Sequence, residues 1–306
     1  MLVGRTTWRP PKRPPRWWAR RLTFKQRLSV VPAWALSHLA ARLARGEMSL
    51  LHGAFSRRGL DVFPKRAEHQ YAPRFYSASF AKLRSPLDDP EFMRDAQEAL
   101  DHGRTKLYYD RLHILYQALH EIARSFPRDE LRILEAGAFR GGTGYFLARV
   151  ADRVAPKRAA LWAVDTFEGR TEQDVGSVHD GGQTTPSRGG KPYDASYESV
   201  ADYLSVFPFV TVVKGRIQDV AESLPAHPIH LIHLDMNVYK PTVFGLELAQ
   251  ARLAPGGIVV LDDYSNVSCP GVAKAVEDVL GRDGGGAFTK LVLPTGQCWL
   301  LARASP

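Results

Sequence analysis

Acidic residues that close apolar runs are where this sequence could do chemistry. Glu135 follows LRIL, Asp165 follows ALWAV, Asp235 follows IHLIHL, and the pair Asp262 and Asp263 follows IVVL. In an open α/β sheet, ligands bind outside the carboxyl ends of the parallel strands, so strand-ending acids share one rim. With the strands before Asp235 and Asp262 lying beside the first one, three carboxylates converge. Crowded carboxylates raise one another's pKa unless a cation lies between them. A hard divalent ion with oxygen ligands, magnesium first, answers that need through Asp235, Asp262 and Asp263. The alternative is that one or two of the three cap helices or make ion pairs.

The stretch at residues 131–150, LRILEAGAFRGGTGYFLARV, organises the rest. Its branched apolar run reads as a buried strand, Gly137, Gly141, Gly142 and Gly144 as a turn, and Tyr145, Phe146, Leu147 and Val150 as a helix. Glycines let the backbone approach a ligand, and a helix start offers it free N–H groups. A dinucleotide fingerprint wants G-x-G-x-x-G, whereas here three residues separate Gly137 from Gly141 and an acid stands two before Gly137. That order, E-x-G-x-x-x-G, resembles motif I of the class I S-adenosylmethionine-dependent methyltransferases. A glycine turn without a ligand is the plainer reading of the same residues. Asp165, ending the second strand, is placed to accept hydrogen bonds from a ribose diol.

Periodicity predicts helices over residues 29–45, 90–100, 105–126, 197–207, 242–252 and 272–280. It predicts strands over 131–134, 160–165, 209–214, 229–235, 258–261, 288–293 and 297–302. Strands alternating with helices give an α/β fold, a doubly wound, Rossmann-like seven-stranded sheet with a basic N-terminal extension. Three segments are expected: a partly disordered tail and amphipathic helix at 1–45, an irregular extension at 46–102, and the sheet domain at 103–306. Residues 170–196 are too polar and glycine-rich for a core and read as a lid-like insertion. Its His179 has a side chain suited to proton transfer near neutrality, although a lone loop histidine is more often solvated. His230 and His233 lie upstream of a strand end and read as structural.

The net charge of +9, from 41 Lys and Arg against 32 Asp and Glu, suggests a nucleic-acid partner until it is located. Residues 1–30 carry nine of the basic residues and no acid, so the remainder balances at 32 of each sign and no nucleic acid is expected. Tail arginines interleaved with Trp8, Trp17 and Trp18 suit an anionic membrane surface, with a solubilising leader as the alternative. Cys269 and Cys298 lack metal-ligand spacing, and no apolar run approaches the ~18 residues of a spanning helix. A cytoplasmic protein follows, peripheral at the inner membrane face if the tail meets lipid.

The succession ILEAGAFRGGTG, AVDTFEG, HLDMNVYKPT, LAPGGIVVLDDY and CPGVAKAVED resembles the macrocin O-methyltransferase family, over residues 107–280. The resemblance implies S-adenosylmethionine-dependent methylation of a sugar hydroxyl, in a glycosylated metabolite or a surface glycan, with Mg2+ on Asp235, Asp262 and Asp263. It carries cofactor contacts onto Glu135, Gly137, Gly141, Gly142, Thr143, Asp165, Thr166 and Asp235, with Gln218 on the adenine side. A small-molecule or glycan acceptor and a homo-oligomer are implied as well. Several members place an acid, a proposed general base, two residues after the first metal Asp. Here that position is Asn237, whose amide cannot take a proton. Either the metal at Asp235 acidifies the acceptor alone, or His179 serves as base. A catechol or phenol acceptor, and a membrane-associated binding protein with an inactive core, are the competing readings.

Overall fold

The computed structural model describes residues 89–181, 195–224, 226, 228–282 and 286–303. The tail expected at 1–45, the extension up to residue 88 and the middle of the insertion lie outside the described residues. Helix α1, Pro90–Asp101, starts at Asp89, whose carboxylate accepts the N–H of Glu91 at 2.9 Å and of Phe92 at 3.1 Å. Proline at the first helical position loses no hydrogen bond, because that N–H has no partner within a helix anyway. After α2 (Tyr109–Ser125) the order is β1 (Leu131–Ala136), α3 (Gly142–Val154), β2 (Ala159–Asp165), α4 (Tyr197–Leu204), β3 (Val210–Lys214) and the short α5 (Ile217–Val220). Then come β4 (Ile229–Leu234), α6 (Tyr239–Arg252), β5 (Leu253–Leu261), α7 (Pro270–Arg282), β6 (Phe288–Val292) and β7 (Cys298–Ala302).

The sheet has seven strands in the order β3-β2-β1-β4-β5-β7-β6. The five strands from β3 to β5 are parallel, and β7 runs antiparallel to both β5 and β6. The chain builds outward from β1 to β3 and then crosses back to β4. That reversal puts the topological switch point, and so the ligand crevice, at the carboxyl ends of β1 and β4. Alternate residues of β1 feed two cores: Leu131 and Ile133 join Phe92, Leu115 and Phe146 on one face, while Leu134 and Ala136 join Leu246 and Val276 on the other. Burial on both faces is why these strands read as nearly continuous apolar runs.

Several boundaries differ from the sequence expectation. Helix α2 begins at Tyr109 instead of 105, because Thr105 Oγ1 contacts Thr143 Oγ1 at 2.8 Å and accepts the Leu107 N–H at 3.1 Å, which holds the segment extended against α3. Helix α6 begins at Tyr239 instead of 242. Asp180 of the insertion accepts the Tyr239 N–H at 2.7 Å, and Pro241 falls in the first turn, where its missing donor is harmless. Strand β5 starts pairing at Leu253, ahead of 258, through an irregularity opposite Ile229 and Leu231. Helix α1 was expected in the extension, and it packs Phe92, Ala96 and Ala99 into the sheet core while Arg153 of α3 holds its Asp95 at 2.6 Å.

Candidate active site

A cavity of about 1040 Å³ opens at the carboxyl ends of the central strands, as large as the usual small-molecule pockets of roughly 300–1000 Å³. Its floor depends on Gly137, at φ +101°, where a Cβ would lie 2.1 Å from the Asp235 carbonyl oxygen. Only a residue without a side chain lets the ends of β1 and β4 close there. Gly137 lines the cavity, but the next two glycines of the motif face protein. A Cβ on Gly141 would meet Val200 of α4 at 2.9 Å, and one on Gly142 would meet the Thr105 backbone nitrogen at 2.3 Å. Their role is close packing of α4 and the extended 104–108 segment.

Thr143, Asp165, Thr166 and Gln218 line the part of the cavity above β1, β2 and β3. Asp165 Oδ2 accepts the Phe139 N–H and Oδ1 the Phe167 N–H, each at 2.8 Å. Phe139 and Phe167 both have positive φ, so this carboxylate fastens two left-handed turns beside the site. Thr166 Oγ1 donates to the Gly169 carbonyl at 2.7 Å. Gln218 Nε2 donates to Asp174 Oδ1 at 3.3 Å, and its buried Oε1 has no hydrogen-bond partner among the described residues. Glu135 is not part of this wall. It lies inside β1 with its carboxylate 3.5 Å from His233 Nδ1, beneath Gly144. Burial raises the Glu135 pKa; the His233 pKa is pushed down by burial but ends raised, because Glu135 favours the imidazolium.

Above β4 and β5 the sequence-predicted trio does come together: one carboxylate oxygen from each of Asp235, Asp262 and Asp263 lies within 4.8 Å of the others. Burial, then Asp262 and Asp263, push the Asp235 pKa well above the ordinary carboxylate range. Burial also raises Asp262, against the pull of Arg111. Arg111, in the first turn of α2, donates Nη1 to Asp262 Oδ2 and, at 3.3 Å, to Asp263 Oδ1. Gln297 Nε2 reaches Asp262 Oδ1 at 2.8 Å, Asn266 Nδ2 reaches Asp263 Oδ1 at 2.8 Å, and Asn237 Nδ2 donates to Asp263 Oδ2. Asn237 sits at φ 63°, a left-handed conformation that asparagine tolerates better than most residues. Asn237 is therefore a donor that orients an acid, Asp263.

His179 is not among the residues that line the cavity. Its ring lies 4.8 Å from that of Tyr239. Sequence reasoning missed Arg111, Gln297, Thr105 and Lys106. Neither Arg111 nor Gln297 carries a local mark in the sequence, because both meet Asp262 only through packing of distant segments.

The profile of the family described as Macrocin-O-methyltransferase (TylF) matches residues 74–283. An 8-demethyl-8-(2,3-dimethoxy-alpha-L-rhamnosyl)-tetracenomycin-C 4'-O-methyltransferase of Streptomyces olivaceus is 28% identical over 194 residues, 60% of this chain and 70% of that protein. A mycinamicin III 3''-O-methyltransferase of Micromonospora griseorubida is 22% identical over 215 residues, 65% of this chain and 80% of that one. Among solved structures, the O-methyltransferase NovP superposes with a TM-score of 0.58 at 18% identity, over 66% of this chain and 83% of that chain, a likeness of fold. No helix among the described residues is long and apolar enough to cross a membrane. A methyltransferase strand order, a cavity at its switch point and a family match over most of the chain agree: this O-methyltransferase belongs to the macrocin-O-methyltransferase family of S-adenosylmethionine-dependent enzymes.

Proposed function

We propose that the enzyme methylates a hydroxyl of a sugar carried by a small-molecule glycoside or a surface glycan, with a divalent cation, Mg2+ first, held by Asp235, Asp262 and Asp263. The observation that carries this reading is the meeting of the three carboxylates in the same cavity as Asp165. The donor set fits a hard cation: all oxygen, with three carboxylates against the single guanidinium of Arg111, so that two negative charges remain for a divalent ion when all are ionised. The sugar comes from the name of the tetracenomycin relative, whose acceptor carries a rhamnosyl group.

S-adenosylmethionine, when bound, supplies an electrophilic methyl group on a sulfonium. A divalent ion, when bound, supplies the Lewis acidity that lowers the pKa of a coordinated hydroxyl. The chain supplies placement. Asp165, an acceptor at the end of β2, takes the ribose hydroxyls. The first turn of α3, with Thr143, offers N–H groups to the amino-acid carboxylate at the other end. Gln218 Oε1, unpaired on the β3 side, supports an exocyclic amine of the base there. Glu135, Gly141 and Gly142 act at one remove, by holding the loop that carries Gly137 and Thr143. Asn237 keeps Asp263 aimed, and His179 serves as base only if its ring leaves Tyr239. Alignment of two reactants is a large share of what such a transfer needs.

The test is transfer of a labelled methyl group from S-adenosylmethionine to a panel of glycosides and catechols. EDTA is expected to lower the rate by at least about a hundredfold, the scale of one lost electrostatic contact in a transition state, with recovery on added Mg2+. Asp235→Asn is expected to lose transfer and to bind Mg2+ more weakly than wild type. Full activity in EDTA removes the metal from this reading, and activity on catechols alone removes the sugar.

A further inference from the structure

The acidic end of the cavity already contains a cation. Arg111 stands at the start of α2, where the helix dipole disfavours positive charge, and contacts both Asp262 and Asp263. Gln297 is fully buried and Asp262 is 2% exposed, while the Arg111 side chain, which lines the cavity, is partly open. Every oxygen of Asp262 and Asp263 has a donor: Arg111 and Gln297 on the first, Arg111, Asn266 and Asn237 on the second. Asp235 receives no side-chain donor among the described residues, and all three carboxylates line the cavity.

We propose that Arg111 is a positioning residue, the resident counter-cation of the acidic cluster: it holds Asp262 and Asp263 in place when no metal is bound, and by repulsion it loosens the grip on a divalent ion, so that the ion exchanges. The inference rests on the metal reading above. It has two consequences of opposite sign. Removing the guanidinium leaves buried carboxylates unpaired, which destabilises the metal-free chain. The same removal leaves the cluster with three negative charges in place of two, which strengthens cation binding. An arginine that merely kept the ligands in register would instead take metal affinity down with it.

Mn2+ provides a direct binding readout by electron paramagnetic resonance, independent of catalysis. Titrated into the full chain, Arg111→Gln is expected to bind Mn2+ at least about tenfold more tightly than wild type. It is expected to melt lower than wild type in EDTA, with the gap narrowing at saturating Mn2+. Arg111→Lys, which keeps the charge, is expected within about threefold of wild type in Mn2+ affinity. Equal or weaker Mn2+ binding by Arg111→Gln, with wild type binding normally, overturns the proposal and leaves the metal reading standing. Should Arg111→Gln not fold, loss of Mn2+ binding by a folded Arg111→Lys overturns it equally, because geometry and not charge would then matter. A wild-type chain that binds no Mn2+ overturns the metal reading, and this proposal with it.

Discussion

Replacing Gly137 by alanine separates two penalties that usually come together. At φ +101° an L residue is strained, which costs about 1–2 kcal/mol by itself. The added Cβ would also sit 2.1 Å from the Asp235 carbonyl oxygen and 2.7 Å from its carbon, both backbone atoms. No rotamer relieves that contact, so the ends of β1 and β4 must part by about 1 Å, and overpacking of this kind costs a further ~1–3 kcal/mol. The parting also strains the Asp235 N–H to Ala136 carbonyl bond of 2.9 Å, which joins the two strand ends. The total, about 2–5 kcal/mol, is a large share of a domain stability of roughly 5–15 kcal/mol. Gly103 is the control: φ +64° with nothing within 4 Å of its Cβ position, so Gly103→Ala incurs only the conformational part, about 1 kcal/mol. Urea unfolding of both variants, compared at unchanged m, measures the difference. If Gly137→Ala falls within about 1 kcal/mol of Gly103→Ala, the close approach of β1 to Asp235 is not what the glycine is for.

Two further outcomes are expected. Asp165→Asn exchanges an acceptor for a donor against the backbone N–H groups of Phe139 and Phe167. It should weaken S-adenosylhomocysteine binding about tenfold or more by calorimetry without changing Mn2+ affinity; unchanged nucleoside binding would remove Asp165 from the ribose site. His230 is buried, and its Nδ1 accepts the Arg132 N–H at 3.0 Å, which requires the neutral ring; burial lowers its pKa from the ordinary value of 6.5. The unfolded chain therefore binds a proton that the folded chain refuses. Stability is complete above pH 6.5 and declines below it, by up to about 1.4 kcal/mol per pH unit until the folded value is passed. Denaturation at several pH values should give a shallower acid decline for His230→Gln, and identical slopes would contradict this account.

The alternation of strands and helices, the glycine turn and the acids at the rim all follow from local rules. Apolar runs of strand length, punctuated by glycine and ended by an acid, need no knowledge of distant residues. Asp165 is the last residue of β2, and Asp235 and Asp262 follow directly on β4 and β5, so these three reach the cavity as their positions suggest. Glu135 was equally legible as an acid but not as to direction. β1 runs two residues past its expected end, to Ala136, and a residue inside a strand points to a face of the sheet instead of its end. That extra strand length sends Glu135 to His233 and away from the cavity. Arg111 meets Asp262 across 151 positions of chain, and Gln297 meets it across 35. No periodicity, cap or turn records such a meeting, because it depends on the angle at which α2 and β7 pack against β5. Sequence alone determined that carboxylates would ring a glycine bend. The packing of the whole sheet decided which of them face the cavity, and that an arginine already stands among them.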